Sequence, residues 1–155
     1  IFMYFQGYGT FTKWINSYQL TTKVDGIDNT GTLIQNTNLE GKIVLLVFWN
    51  TRCDVCFTKF PDLQQFYEKY KNDPEVAIYA VNKPVEEDRV DEAFQVIMNR
   101  GYNFPVLLPK NKELAEKFGV FYYPDTFVVD TRGNVVVEGD ILGATRRFEE
   151  LKAGN

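Results

Sequence analysis

The stretch Lys42–Leu63, KIVLLVFWNTRCDVCFTKFPDL, decides the fold of this chain. It opens with seven consecutive apolar residues, Ile43–Trp49, a run that is too short to span a membrane and too continuous for a strand with one face in water. Cys53 and Cys56 come next, and apolar or aromatic residues then recur at helical spacing. The pattern predicts a central buried strand, a cysteine pair and a helix, in that order.

The two cysteines differ in their expected chemistry because they stand at a strand-to-helix junction. Unpaired N–H groups and the positive end of the helix dipole stabilise a thiolate, so we expect Cys53 to have a lowered pKa and to be the nucleophile. Cys56 lies one turn further along the helix, within disulfide range and less accessible, which suits a resolving thiol. Such a pair can cycle between dithiol and disulfide.

Three other interpretations of the pair stay open. Two core cysteines could share this spacing by chance. A zinc site usually needs four Cys or His ligands, and a chain with two cysteines and no histidine could supply one only together with a second chain. A purely structural disulfide would close a very short loop and add little through chain entropy. The redox interpretation implies no metal and no organic cofactor.

Two segments of the chain resemble the thioredoxin-fold thiol–disulfide oxidoreductases. The first is Phe48–Cys56, FWNTRCDVC, with Pro61 in the helix that follows. The second is Gly119–Asp130, GVFYYPDTFVVD, which is similar to the family's cis-proline loop and the strand after it. The residues Leu39–Lys42 and the long insertion between the two motifs are more similar to the bacterial envelope type called TlpA/ResA, related to AhpC/TSA, than to thioredoxin. The resemblance covers residues 24 to 152.

The resemblance implies an α/β thioredoxin-like fold, with a mixed central sheet flanked by helices, an N-terminal hairpin and an inserted βα unit. Strand and helix patterns agree with this class because they alternate along most of the chain. Further strands are predicted at 76–81, 104–108, 126–129 and 134–137, and helices at 87–100, 111–118 and 144–152. Weak strand signals at 19–24 and 32–34, with turns at Asp25-Gly26 and Asn29-Thr30-Gly31, predict the hairpin.

The resemblance also implies a substrate-binding surface beside the cysteines. The equivalent of Pro124 is cis and lies against the pair, and the residue before it, Tyr123, offers backbone hydrogen bonds to an extended substrate. Trp49 supplies another surface near the thiols, and Arg52 directly precedes the nucleophile. Read without the resemblance, Pro124 could instead mark a tight turn that starts a strand.

The chain departs from the thioredoxin pattern at the position of the buried proton-transfer aspartate, which is Val47 here. Asp54, between the cysteines, is the nearest substitute and is the predicted base for Cys56, although a plain exposed role is the alternative. The carboxylate should raise the pKa of the Cys53 thiol, whereas Arg52 and the helix N-terminus should lower it. Sequence therefore leaves the redox potential open.

Composition fits one domain, because 155 residues with 45% hydrophobic content can bury a substantial core. The predicted domain is 8–155. Residues 1–7 are set apart, because Tyr4–Gly7 is similar to the end of a cleavable tag linker, with a natural aromatic arm as the alternative. The net charge of −4 and the lack of a basic run exclude nucleic acid and anionic membrane as expected partners, and a monomer is expected.

The predicted activity is thiol–disulfide exchange with protein thiol or disulfide substrates, in the reductive direction, fed by an upstream electron donor. The resemblance places such a protein in the bacterial cell envelope or periplasm, anchored through a segment that this sequence lacks. Two alternatives stand beside it. One is a peroxiredoxin-like peroxidase, which Trp49 and Asn50 disfavour because the peroxidatic motif has proline and threonine there. The other is a redox-inert module that binds a peptide on Trp49, Tyr122 and Tyr123.

Overall fold

The computed structural model describes residues 24–154 in full and, for residues 2–6 and 10–19, the course of the backbone. Its elements in chain order are β1 (Phe2–Gln6), β2 (Thr10–Gln19), β3 (Asp25–Asp28), β4 (Leu33–Gln35), α1 (Asn36–Leu39), β5 (Ile43–Trp49), α2 (Asp54–Tyr70), β6 (Val76–Asn82), α3 (Glu92–Asn99), β7 (Val106–Pro109), α4 (Glu113–Lys117), β8 (Asp125–Val129), β9 (Asn134–Gly139) and α5 (Ile141–Ala153).

The described strands form one mixed sheet in the order β1-β2-β9-β8-β5-β6-β7-β3-β4. The pairs β5–β6 and β6–β7 are parallel, and the other neighbouring pairs are antiparallel. β5 lies in the middle of the sheet, and all seven of its residues are buried. The predicted central strand and the predicted mixed sheet are both confirmed.

Successive residues of β5 point to opposite faces of the sheet and enter two separate cores. Leu45, Val47 and Trp49 pack with buried residues of α2, α3 and α5. Leu46 and Phe48 pack with buried residues of α1 and α4. A strand covered by helices on both sides must be apolar at every position, which explains the unbroken hydrophobic run in the sequence.

Helix α2 contributes more buried residues to the first core than any other described helix. Its buried residues recur every three or four positions, so a single face of the helix lies on the sheet. Phe60 is fully buried and packs edge-to-face on Trp49 and Phe104, with ring centroids 5.4 and 5.2 Å apart. Pro61, one residue on, stands inside the helix on its exposed side.

The predicted N-terminal hairpin exists, but its first strand lies later than expected. β3 pairs antiparallel with β4 and, on its other edge, with β7. Gly26, predicted as a turn residue, lies inside β3, where an added Cβ would stand 2.4 Å from the Leu108 carbonyl oxygen. The glycine therefore permits close contact between two backbones and does not mark a turn. The part of the predicted strand at 20–23 lies outside the described residues.

Two predicted helices begin three or more residues away from their predicted starting points. α3 begins at Glu92 rather than residue 87, because Asp88 accepts a hydrogen bond from the Val85 N–H and holds the preceding residues in a turn. α5 begins at Ile141 rather than residue 144, since the Asp140 side chain accepts from the Gly143 N–H at 2.6 Å and caps the helix. Both shifts are caused by hydrogen bonds of aspartate side chains, which the spacing of apolar residues does not reveal.

Strands β1 and β2 were not expected from the sequence. β1 occupies most of the segment predicted to be a tag or arm and forms one edge of the described sheet, and β2 pairs with β1 on one side and β9 on the other. The assignment of residues 1–7 to a tag or arm stays a prediction. The inserted βα unit is present, since α3, β7 and α4 lie between β6 and β8.

Replacing Phe60 with alanine should lower the free energy of unfolding by about 3 to 5 kcal/mol, because the change removes a fully buried ring and leaves a cavity. The measurement is urea unfolding followed by circular dichroism. The neighbouring variant Lys59→Ala, on the exposed side of α2, is the control and should change stability by less than about 0.5 kcal/mol. Equal losses in the two variants would contradict the described packing.

Candidate functional site

The cysteine pair lies where the central strand ends and α2 begins. Cys53 is the N-cap of α2, and its sulfur accepts a hydrogen bond from the Cys56 N–H at 3.1 Å. The two residues form a disulfide with their Cα atoms 5.3 Å apart, so the structure shows the oxidised form of the pair. Cys53 is half-buried, whereas Cys56 is fully buried. The less buried cysteine is therefore the one at the helix start, as predicted.

Residues of the loop before Cys53 are ordered by two polar side chains. Asn50 accepts from the Arg52 N–H with its side chain, at 2.9 Å, and from the Cys53 N–H with its carbonyl, at 3.3 Å. The Thr51 hydroxyl donates to Asp88 at 2.6 Å, which ties the loop to the segment after β6. The contact between Thr51 and Asp88 was not predicted from the sequence, whereas Asn50 directly after a strand is a recognisable turn signal.

Trp49 lies beneath the pair and offers no surface to a substrate in this oxidised form. Its side chain is fully buried, and its ring packs edge-to-face on Phe57 and Phe60. The guanidinium of Arg100 lies 3.6 Å from the Phe57 ring centroid and covers this aromatic group from the α3 side. The burial therefore argues against the predicted substrate contact of Trp49 and for a supporting role.

The peptide bond between Tyr123 and Pro124 is cis, as the resemblance implied. Asp125 pairs with Phe48 across the sheet, and continuing this antiparallel register by one residue sets Pro124 opposite Trp49. The cis-proline loop therefore reaches the same end of the sheet as the cysteines. Tyr123 and Pro124 are both partly exposed.

Two aromatic side chains before the cis-proline face outward. Phe121 is 84% exposed and meets Tyr122 edge-to-face, with ring centroids 5.3 Å apart. Burial and the Asp125 carboxylate raise the pKa of Tyr122 well above its usual value, and burial followed by the same carboxylate raises the pKa of Tyr123. Both phenols therefore stay protonated at physiological pH and can donate hydrogen bonds.

The two predicted charged site residues lie on the surface next to the pair. Asp54 is exposed in the first turn of α2, where its negative charge interacts favourably with the positive end of the helix dipole. The Arg52 side chain is 67% exposed and lies 4.0 Å from Glu87. Their roles toward Cys56 and toward a substrate stay predictions. Within the ranges the structure describes, no group of three or more Cys, His, Asp or Glu side chains is arranged to hold a metal ion.

The arrangement defines a thioredoxin-like protein with a CxxC cysteine pair at the start of a helix. The chain belongs to the AhpC/TSA family, whose model matches residues 13–138. It is similar to the thiol-disulfide oxidoreductase ResA of Bacillus subtilis, at 34% identity over 109 residues that cover 70% of this chain and 59% of that protein. The ResA protein of Bacillus thuringiensis subsp. konkukian is 30% identical over 138 residues, covering 88% of this chain and 77% of that protein.

Solved structures confirm the fold. The thioredoxin domain of a thiol-disulfide oxidoreductase from Bacteroides vulgatus superimposes with a TM-score of 0.73 at 20% identity, over 88% of this chain and 99% of that one. StoA from Bacillus subtilis gives a TM-score of 0.71 at 21% identity, over 87% and 99%. The predicted resemblance to ResA-like, AhpC/TSA-related proteins is confirmed. The chain spans about three fifths of the length of the first curated relatives that it matches.

We predict that Tyr122→Phe reduces the loss of stability at alkaline pH. Because the pKa of Tyr122 is raised in the folded protein, its contribution is fully present below the unfolded value of about 10 and is lost as pH rises beyond it. The measurement is urea unfolding at neutral pH and above pH 10. Part of the loss should remain, since Tyr123 is shifted in the same direction. If the Tyr122→Phe variant loses as much stability between neutral pH and pH above 10 as the wild type, the raised pKa of Tyr122 is contradicted.

Proposed function

We propose that this chain catalyses thiol–disulfide exchange with protein substrates through Cys53 and Cys56. One observation carries the proposal: the pair is joined as a disulfide at a helix start, with one cysteine half-buried and the other fully buried. A purely structural disulfide does not require its two cysteines to differ in burial. The names of the ResA relatives point to the same activity.

In the reductive direction the reaction needs two displacements at sulfur. The Cys53 thiolate attacks a substrate disulfide, forms a mixed disulfide and releases the other substrate sulfur as a thiolate, which takes up a proton. The Cys56 thiolate then attacks the Cys53 sulfur, forms the intramolecular disulfide and releases the second substrate thiol. The substrate gains two electrons and the pair loses two, so a dithiol donor must reduce the pair before the next turnover.

The backbone at the start of α2 favours the first displacement. In the disulfide, the Cys53 sulfur accepts the Cys56 N–H at the positive end of the helix dipole. In the reduced pair, the same position stabilises a negative charge on that sulfur, so a larger fraction of Cys53 is the thiolate that attacks. The buried Cys56 stays close enough to complete the exchange, and outside partners do not reach it.

The remaining predicted residues have supporting roles in this proposal. Asp54 takes the proton of Cys56 during the second displacement, and Arg52 offers a positive charge to the approaching substrate. Tyr123 and Pro124 form the wall along which an extended substrate binds, because their loop reaches the cysteine end of the sheet. Trp49 holds the first turn of α2 in place through Phe57 and Phe60.

We also propose that the protein acts as a monomeric reductase outside the cytoplasm and receives electrons from an upstream dithiol protein. A structural neighbour from Streptococcus pneumoniae is described as an exposed lipoprotein thioredoxin, which is in keeping with such a location. Among the described residues, no helix combines the length and the apolar character needed to cross a bilayer.

Serine variants of the two cysteines test the mechanism. Cys53→Ser should lower the rate of insulin disulfide reduction to below about a thousandth of wild type, because the nucleophile is lost. Cys56→Ser should instead accumulate a mixed disulfide with the substrate, visible as a mass increase that dithiothreitol removes. The double variant is the control. Accumulation in Cys53→Ser would reverse the two roles, and peroxide consumption without disulfide exchange would favour the peroxidase alternative.

The reduction potential tests the direction of electron flow. We expect about −250 mV or lower, in the range of thioredoxin-type reductants, from titration of the pair in dithiothreitol or glutathione buffers. Trp49 fluorescence is the signal, and Trp14→Phe removes the contribution of the second tryptophan of the chain. A value near −120 mV would identify a disulfide-forming oxidant. If no reversible two-electron transition is found, the redox function is refuted.

A further inference from the structure

Two adjoining cavities open at the carboxyl ends of β6 and β7. One has a volume of about 340 Å³ and the other about 480 Å³, and they share Asn82, Pro84, Pro109 and Lys110. We refer to the combined space as the strand-end groove; its walls are residues 81–84 and 108–112, with Ile27, residues 88–90, Ala93 and Ala115.

The smaller half of the strand-end groove is positively charged. Lys83, Lys110 and Lys112 line it, and no carboxylate is among the described residues of its wall. Lys110 is partly balanced by Asp25, at 3.2 Å across the rim, while its side chain remains 57% exposed. The chain as a whole carries a net charge of −4, so the local positive charge of three lysines around one cavity is opposite in sign to the net charge of the protein. This half of the groove therefore attracts an anion.

A buried amide lines both halves of the groove. Asn82 is 3% exposed, and its Nδ2 has no hydrogen-bond partner in the part of the chain that the structure describes. A buried donor left without a partner costs about 1 to 3 kcal/mol, which a bound acceptor would offset. The lysines attract a negative charge, and Asn82 offers a hydrogen bond to it.

The other walls indicate an organic anion with apolar neighbours. Val81, Pro84, Pro109 and Ala115 surround the lysines of the smaller half. In the larger half, the apolar wall residues are Ile27, Pro84, Val90, Ala93, Leu108 and Pro109. A carboxylate carried by a chain with apolar side chains matches this surface, because it pairs with the lysines and buries hydrocarbon on both sides.

The charged groups in the larger half are already engaged. Asp88 accepts hydrogen bonds from the Thr51 hydroxyl and the Val85 N–H, and Arg89 pairs with Glu92 at 3.0 Å. The lysines of the smaller half therefore decide the charge that the groove selects.

The strand-end groove lies next to the cysteine loop. Asn82 is the register partner of Trp49 in the parallel β5–β6 pair, and the Lys83 N–H donates to the Trp49 carbonyl at 2.8 Å. Asp88 joins the wall of the groove to Thr51, two residues before the nucleophile. Neighbouring strands lie about 5 Å apart, so a polypeptide that presents a disulfide to Cys53 can extend into the groove.

We infer that the strand-end groove binds an acidic, partly apolar segment of the polypeptide substrate, with a carboxylate between the lysines and the Asn82 amide. As a statement about substrates, the inference rests on the proposed exchange activity. As a statement about binding, it is testable without any redox reaction.

The test uses oxidised protein and a fluorescein-labelled, cysteine-free peptide in which glutamate alternates with leucine. Fluorescence anisotropy should show at least about tenfold tighter binding than for the same peptide with glutamine in place of glutamate. The double variant Lys83→Gln/Lys112→Gln should lose most of this preference. Lys117→Gln, an exposed lysine on α4 that does not line the groove, removes one charge elsewhere and should keep the preference.

The variant Asn82→Leu tests whether Asn82 contributes to peptide binding or only to the stability of the fold. The variant removes an unpartnered donor from a buried site, so its melting temperature should stay the same or rise, while its affinity for the glutamate peptide should fall about fivefold or more. A purely structural role of Asn82 would instead lower the melting temperature and leave the preference of the folded protein intact. If this variant does not fold, the lysine variants decide.

The inference is overturned if wild type does not prefer the glutamate peptide, if the double lysine variant keeps the preference, or if Lys117→Gln loses as much. Displacement of the peptide by millimolar inorganic phosphate, but not by acetate, would overturn the carboxylate assignment. Because the peptide contains no cysteine, a failure of insulin reduction alongside an intact preference would refute the exchange activity and leave the groove assigned.

Discussion

Burial of β5 on both faces is the constraint on which the rest of the structure depends. A strand with helices on either side is held at the centre of the sheet, and its register with β6 and β8 fixes what lies beside its last residue. Trp49 therefore has Asn82 on one side and the cis-proline loop on the other. The cysteine loop begins at this fixed point, so the position of the disulfide is set by the core and not by the loop itself.

The chemical difference between the two sulfurs follows from a single helix start. Cys53 caps α2 and is partly accessible, whereas Cys56 is turned into the core that contains Trp49 and Phe60. Both residues belong to the same turn, and their unequal burial arises because Cys56 lies on the buried face of α2 together with Phe60 and Leu63, whereas Cys53 lies at the start of the helix. A reaction in which one thiol meets the substrate and the other completes the exchange needs this inequality.

The features that sequence could predict are those that short-range patterns determine. The apolar run of β5, the helical spacing after the cysteines and the two short strands at 126–129 and 134–137 are each determined within a few residues, and the structure contains all of them. Contacts between distant segments were missed: Thr51 with Asp88, Gly26 against Leu108, and Asn82 at the meeting of two cavities. The burial of Trp49 was also not predicted. The position of this residue in the motif suggested that its side chain contacts the substrate, but Phe57 and Phe60 of α2 pack against its ring.

The site has two flanks of different character, one on each side of β5. On the β8 side, the cis-proline loop presents backbone groups, the exposed ring of Phe121 and two phenols whose pKa values are raised. On the β6 side, the strand-end groove presents lysines and a buried amide. Backbone contacts accept any extended chain, whereas charge and shape discriminate between chains. Under the proposed exchange activity, the β8 flank would therefore bind any disulfide-bearing segment, and the β6 flank would be the place where this chain distinguishes one polypeptide from another.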